Sequence, residues 1–289
     1  MPVPASINDL STTASSNSPP GSESPGTIDD YLRAHAAFIA RLRDRGRNLV
    51  INGGFQVKQA DPATASGTVT LTAGQYGWAA ASTKGFDRWK AGASGCTYSF
   101  STSGGITTLT ITAGSLQQVI EGINLQSGTH TLSWAGTAQG KIGAGSYSAS
   151  GVTGSVTGGS NLTIEFGTGT LSQVQFELGD TATPFDKSRL YGQELQLCER
   201  YFENALAGEG AAASFDGNVT SGNTYPARVR FATAKRVVPT ITVTNVSAFN
   251  FPVTAGSTTA GTKGFSEART ASGSGLGAFQ SVWTASAEL

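Results

Sequence analysis

Two histidines, His35 and His130, and two cysteines, Cys96 and Cys198, are the whole supply of imidazole and thiol in 289 residues. His35 falls in a helical pattern, and His130 stands between Thr129 and Thr131 in a strand pattern. Neither neighbours a nucleophile in a recognisable motif, whereas a Ser-His-Asp triad or a zinc site needs convergent, oriented groups. Glycoside hydrolysis needs two facing carboxylates. The candidates Asp87, Glu121, Glu165, Glu177, Asp180 and Asp186 show no such pairing: Asp87 adjoins Arg88, and Glu177 and Asp180 flank a strand end. No glycine-rich run has phosphate-loop spacing or precedes a helix. The expectation is a protein without catalysis. Binding chemistry is better represented. Aromatic planes stack on the apolar faces of sugars while amides and carboxylates meet the hydroxyls. Tyr76 and Trp78, in the loop Gln75-Tyr76-Gly77-Trp78, and Tyr147, in a Gly/Ser-rich loop, are the candidate glycan-binding residues.

These side chains are set among many short segments. With 38 glycines, 38% apolar residues and only 13% charged residues, the chain suits short strands and tight turns rather than long helices. A formal net charge of zero disfavours nucleic acid as a partner, because phosphate binding needs a basic field. The two cysteines make no disulfide framework and no metal-ligand spacing, so both are expected reduced and partly buried. No long apolar run occurs, and no positive charge precedes Arg33. Neither a secretory signal nor membrane insertion is expected.

Five segments are predicted along the chain. Residues 1–26 form a Pro/Ser/Thr-rich arm that stays unfolded alone; its apolar Val3, Ile7 and Leu10 are candidates for docking on another protein. Residues 27–46 form a helix with acidic residues in its first turn and arginines near its end. Its Ile28, Leu32, His35, Ile39 and Leu42 step by 4, 3, 4 and 3, a coiled-coil seam too short to associate unaided. Residues 47–186 read as all β. An opening strand is expected at Arg47–Phe55, stopping at Asn52-Gly53-Gly54, and a closing strand at Leu171–Gly179. The closing strand places Leu171, Gln173, Gln175 and Glu177 on one face and Val174, Phe176 and Leu178 on the other. Strands are also expected at Val69–Thr72, Thr107–Thr112, Leu116–Leu125, Thr129–Trp134 and Leu162–Phe166, with Trp89 and Trp134 in the core. Residues 187–206 form a second helix, with Leu190 or Tyr191, Leu195, Cys198 and Tyr201-Phe202 on its apolar side. Residues 207–289 return to strands.

Several of these motifs resemble those of bacteriophage tail-fibre and minor tail proteins. Asn48 to Phe55 is similar to an NLLxNGxF opening, Asp87-Arg88-Trp89 to an Asp-Arg-Trp triplet, and Val174 to Asp186 to a VQxExGxxATPFE closing segment. Tyr191 to Glu203 resembles the helix that follows, and Pro226 to Phe231, Val238 to Thr242 and the Glu288-Leu289 end resemble the last domain. The resemblance spans Arg47 to Leu289. It implies a mainly β chain: a jelly-roll β-sandwich like a carbohydrate-binding module, then a linking helix and a C-terminal β-sandwich tip. It also implies a homotrimeric virion appendage assembled in the host cytoplasm. Such a protein is fixed to another virion protein through residues 1–26 and adheres to a host surface glycan or receptor. A head fibre or capsid decoration protein is the alternative. Jelly rolls of this kind often hold a structural calcium between the opening and closing segments, for which Asn52, Glu177 and Asp180 offer oxygens; no other cofactor is implied.

Overall fold

The computed structural model describes residues 28, 30–35, 48–187, 189–205 and 212–289. The chain divides into two compact units, residues 1–48 and 49–289. In the first, residues 30–35 are helical (α1), as the capping pattern requires. The seam residues Ile28 and Leu32 are 44% and 63% exposed, and His35 is partly buried. Ile39 and Leu42, and the arm with Val3, Ile7 and Leu10, lie outside the described residues.

The second unit is mainly β and built from two sandwiches. The first sandwich contains β1 (Ser66–Leu71), β2 (Lys90–Ser103), β3 (Ile106–Ile120), β4 (Gly128–Ala135), β5 (Gly140–Ile142), β6 (Val152–Val156), β7 (Leu162–Phe166) and β8 (Gly169–Leu178). All its described pairings are antiparallel. The long strand β3 divides the architecture. Leu109–Ile111 pairs with β8 and leads on to β4 and β6, while Leu116–Ile120 pairs with β7 and leads to β5. Between the two branches sits a core containing Trp89, Leu109, Leu116, Leu132, Ile164, Phe166, Val174 and Phe176. Trp89 and Trp134 are both buried there, as expected.

The second sandwich contains β9 (Phe202–Ala205), β10 (Ala213–Val219), β11 (Thr224–Arg230), β12 (Thr240–Phe249), β13 (Ser257–Gly261), β14 (Gly264–Thr270) and β15 (Gly275–Ser286). One sheet has the order β10-β15-β12 with β9 also on β15; the other has the order β11-β14-β13. Strict alternation along β15 sends Phe279, Trp283 and Ala285 inward, where they meet Phe231, Phe251 and Phe265. Helix α2 (Tyr191–Glu199) connects the sandwiches.

Two sequence expectations change. Arg47–Phe55 is no strand among its described residues: residues 51–54 form turns, and Asn52 and Phe55 have positive φ of 58° and 52°. The segment still meets the closing strand, through Leu49 N to Phe176 O and Val174 N to Gly53 O, both 2.9 Å. Asn tolerates the left-handed region better than most residues, so Asn52 opens a turn in place of an extended ladder. The second helix is also shorter at both ends, Tyr191–Glu199: Leu190 and Tyr191 stay exposed, and Phe202–Ala205 gains more by pairing with Trp283–Ser286 of β15.

Candidate functional site

The Asp87-Arg88-Trp89 triplet builds the joint between the two sandwiches. Trp89 enters the first core and donates its indole N–H to Asn52 O at 3.0 Å. Arg88, with φ of 72°, points the other way and is 1% exposed. Its guanidinium pairs with the carboxylate of Glu288, donates to Val119 O at 2.9 Å, and lies 3.5 Å from the Tyr201 ring centroid. Asp87 is fully buried and accepts from the Gln59 side-chain amide at 2.8 Å. Burial pushes its carboxyl up to about 7, with the Gln59 hydrogen bond opposing and the Glu288 charge adding to the rise. Around this cluster, Ile51, Val57, Cys198 and Tyr201 form a small apolar core against Leu195, Leu197 and Leu289. Tyr201 and Arg200 both reach Glu121 of the first sandwich, at 2.7 and 3.2 Å. Asp87, Arg88, Arg200, Tyr201 and Glu288 each bond to another part of the same chain, while Arg88 Nε and Glu288 Oε1 are buried without a hydrogen-bond partner among the described residues.

The three candidate glycan residues separate. Tyr76 bonds through its hydroxyl to the main-chain oxygen of Leu289. Trp78 stacks on Phe202 with ring centroids 4.2 Å apart. Both are thereby drawn into the junction. Tyr147 is 39% exposed and stands on the outer face of the first sandwich.

That face carries a row visible only in the strand register. Lys141 pairs with Glu165, Glu165 with Gln117, Gln117 with Lys90, and Lys90 with Tyr76. Directly paired residues share a face, so five polar or aromatic side chains line up across the strands. At ~4.8 Å per strand the row is roughly 19 Å long. Leu289 covers one end, where Lys90 Nζ donates to its oxygen at 2.8 Å. At the open end, Glu165 accepts from Ser115 at 2.5 Å and Tyr147 at 3.0 Å, and pairs with Lys141 at 3.1 Å. Burial raises the Glu165 carboxyl, but these hydrogen bonds and the Lys141 charge outweigh it and leave the group below its ordinary range. Burial and the bond to Glu165 push the Tyr147 hydroxyl up to about 12. The Lys141 ammonium stands 4.9 Å from the Tyr147 ring centroid. Gly92 makes the arrangement sterically feasible, because a Cβ there would come within 2.0 Å of Ser115 Oγ. The result is an ionised carboxylate, an ammonium, an amide and an exposed ring held on a rigid sheet. Such a set can meet hydroxyls and ring faces.

Glu165 and Tyr147 were both recognisable as residues, but Lys141 and Gln117 carried no signal in the sequence. Their contribution depends on β5, β7 and β3 being neighbours.

The oxygens considered for calcium all accept hydrogen bonds within the chain. Asn52 Oδ1 accepts from Gln56 N and Val57 N at 2.7 and 2.9 Å. Glu177 is 3% exposed and accepts from Gln175 and from Thr183 N and Oγ1. Asp180 accepts from Thr181 at 3.0 Å. No group of three or more His, Cys, Asp or Glu suited to a metal occurs among the described residues. His130 is buried and stacks on Phe176, with centroids 5.0 Å apart. Both cysteines are free and buried. No described helix is long and apolar enough to cross a membrane.

Comparison with known proteins finds no matching family model, no similar curated protein and no similar solved structure.

Proposed function

We propose that this chain is a non-catalytic virion appendage of a bacteriophage, which attaches the particle to a glycan on the host surface. The observation that supports this reading best is the open end of the polar row, where Tyr147, Glu165, Lys141 and Gln117 share one sheet face. Sugars are bound by such combinations of a ring plane with preorganised donors and acceptors. In this reading the seam of Ile28, Leu32, His35, Ile39 and Leu42 joins three copies. Residues 1–26 fix the trimer to another virion protein. Three weak sites on one particle then act together, and avidity compensates for the small contact area.

The experiment is an adsorption assay. Purified full-length protein should compete with particles for host cells, and Tyr147→Ala with Gln117→Ala should abolish the competition without altering the thermal melt. Adsorption that is indifferent to excess wild-type protein would sink the proposal, as would labelling that places the chain inside the particle.

A further inference from the structure

Beside the joint lies a cleft of about 630 Å³ that takes its walls from both sandwiches and includes neither Tyr147 nor Glu165. That volume lies within the range of small-ligand sites, about 300–1,000 Å³. One wall is the loop of the first sandwich carrying Trp78 and Lys84. The other is the outer face of the second sandwich. There β9, β15 and β12 pair Asn204 with Thr284 and Thr284 with Thr242, while Ser286 pairs with Thr240. Alternation explains this wall. The inward positions Ala205, Trp283, Ala285, Ile241 and Val243 belong to the core, so their neighbours present a sheet of hydroxyls and one amide to the opening. The lining includes no carboxylate, and its single formal charge is Lys84. The Lys84 ammonium donates to Ala80 O at 2.5 Å and, being half-buried, retains further donors.

We infer that this cleft is a second binding site, distinct from the Tyr147 face, for a short acidic saccharide. Its hydroxyl-rich wall meets the sugar hydroxyls, Trp78 borders the ring, and Lys84 takes the carboxylate. The ligand class follows from the lining. Several hydroxyls and an amide match a polyol, and an unopposed ammonium favours an anionic substituent. An exclusively apolar ligand would leave those groups without partners.

The four tryptophans supply a selective readout. Trp89, Trp134 and Trp283 are buried, at 0%, 7% and 3% exposure, whereas Trp78 is only partly buried. Acrylamide quenching of the native full-length protein therefore reports mainly on Trp78. Digalacturonate and sialyllactose serve as acidic probes and lactose as the neutral comparator. At least one acidic probe should shield Trp78 while lactose does not. Lys84→Met should weaken that probe about tenfold, the factor carried by one charge-assisted hydrogen bond. Thr242→Phe, an exposed position, should fill the cleft and abolish shielding. Tyr147→Ala should leave shielding intact, which separates this site from the one proposed above. The inference is overturned if neither acidic probe shields Trp78, if lactose shields it equally, or if shielding survives Thr242→Phe in a variant with an unchanged melt.

Discussion

The guanidinium of Arg88 sits 3.5 Å from the ring centroid of Tyr201 while pairing with Glu288. One side chain from the first sandwich thus touches the segment after α2 and the last strand's extension. Both carriers of the Arg88–Glu288 pair are almost fully buried. Removing one partner leaves the other charge in a poorly solvated site, which typically costs about 3–5 kcal/mol. Arg88→Met is expected to lose stability on that scale in urea denaturation. Replacing both residues by apolar ones should recover much of the loss, and a double-mutant cycle measures how much.

Asp87 gives the joint a pH dependence of definite sign. Its folded value of about 7 lies above its ordinary 3.8, and burial also raises Glu288. A group with a raised folded value contributes its stability fully below its unfolded value and loses it as pH rises through the folded one. Stability from Asp87 should therefore fall between about pH 4 and pH 7, by on the order of a few kcal/mol at most. Melting temperatures across that interval check the slope. Asp87→Asn, which retains the acceptor for Gln59, should flatten it.

Gly92→Ala places a Cβ 2.0 Å from Ser115 Oγ and 2.9 Å from Glu165 Oε1. The hydroxyl must move, the Ser115–Glu165 bond breaks, and overpacking of this kind typically costs about 1–3 kcal/mol. Adding Ser115→Ala removes the colliding oxygen. The double variant should melt above Gly92→Ala alone.

Burial pushes the Cys96 thiol up to about 12 and raises Cys198 well above the ordinary range. Thiolate is the reactive form. Ellman's reagent should leave both cysteines untouched in the native protein and titrate two thiols in denaturant. Prompt labelling of a native thiol would contradict the packing of the joint around Cys198.

EDTA is expected to leave the melting temperature unchanged, because Asn52 and Glu177 already satisfy backbone and side-chain donors. A calcium-dependent shift in a scanning melt would show that these oxygens have a further role.

Strand identity was legible wherever alternation was strong. Thr129–Trp134 and Leu162–Phe166 form as their patterns require. Leu116–Leu125 instead divides: Leu116–Ile120 is the second half of a strand shared with Thr107–Thr112, and Gly122–Asn124 forms a 3-10 turn. Polar strand faces were misleading. Gln175 and Glu177 alternate with Val174 and Phe176 like solvent-facing residues, yet both are buried under Thr183 and Asp186. Nothing local in Phe202–Ala205 distinguishes a helix's last turn from a strand; its pairing with Trp283–Ser286 decides the matter. Tyr76 and Trp78 looked exposed because flanking glycines mark a loop, but the partners that cover them, Leu289 and Phe202, are distant in sequence. The row from Lys141 to Tyr76 exists only through register between non-consecutive strands, a long-range property that a linear pattern does not encode.

Ala287 N donates to Tyr201 O at 2.7 Å, and Arg236 N donates to Arg200 O at 3.0 Å. The polypeptide enters the second lobe beside the point where it leaves. A lobe whose two ends lie side by side behaves as a cassette: its loops can lengthen, shorten or be exchanged wholesale while the gap bridged by the remaining scaffold stays the same. Diversity can then accumulate in its loops without rebuilding Phe202, Arg236 and Glu288, which hold the lobe in place.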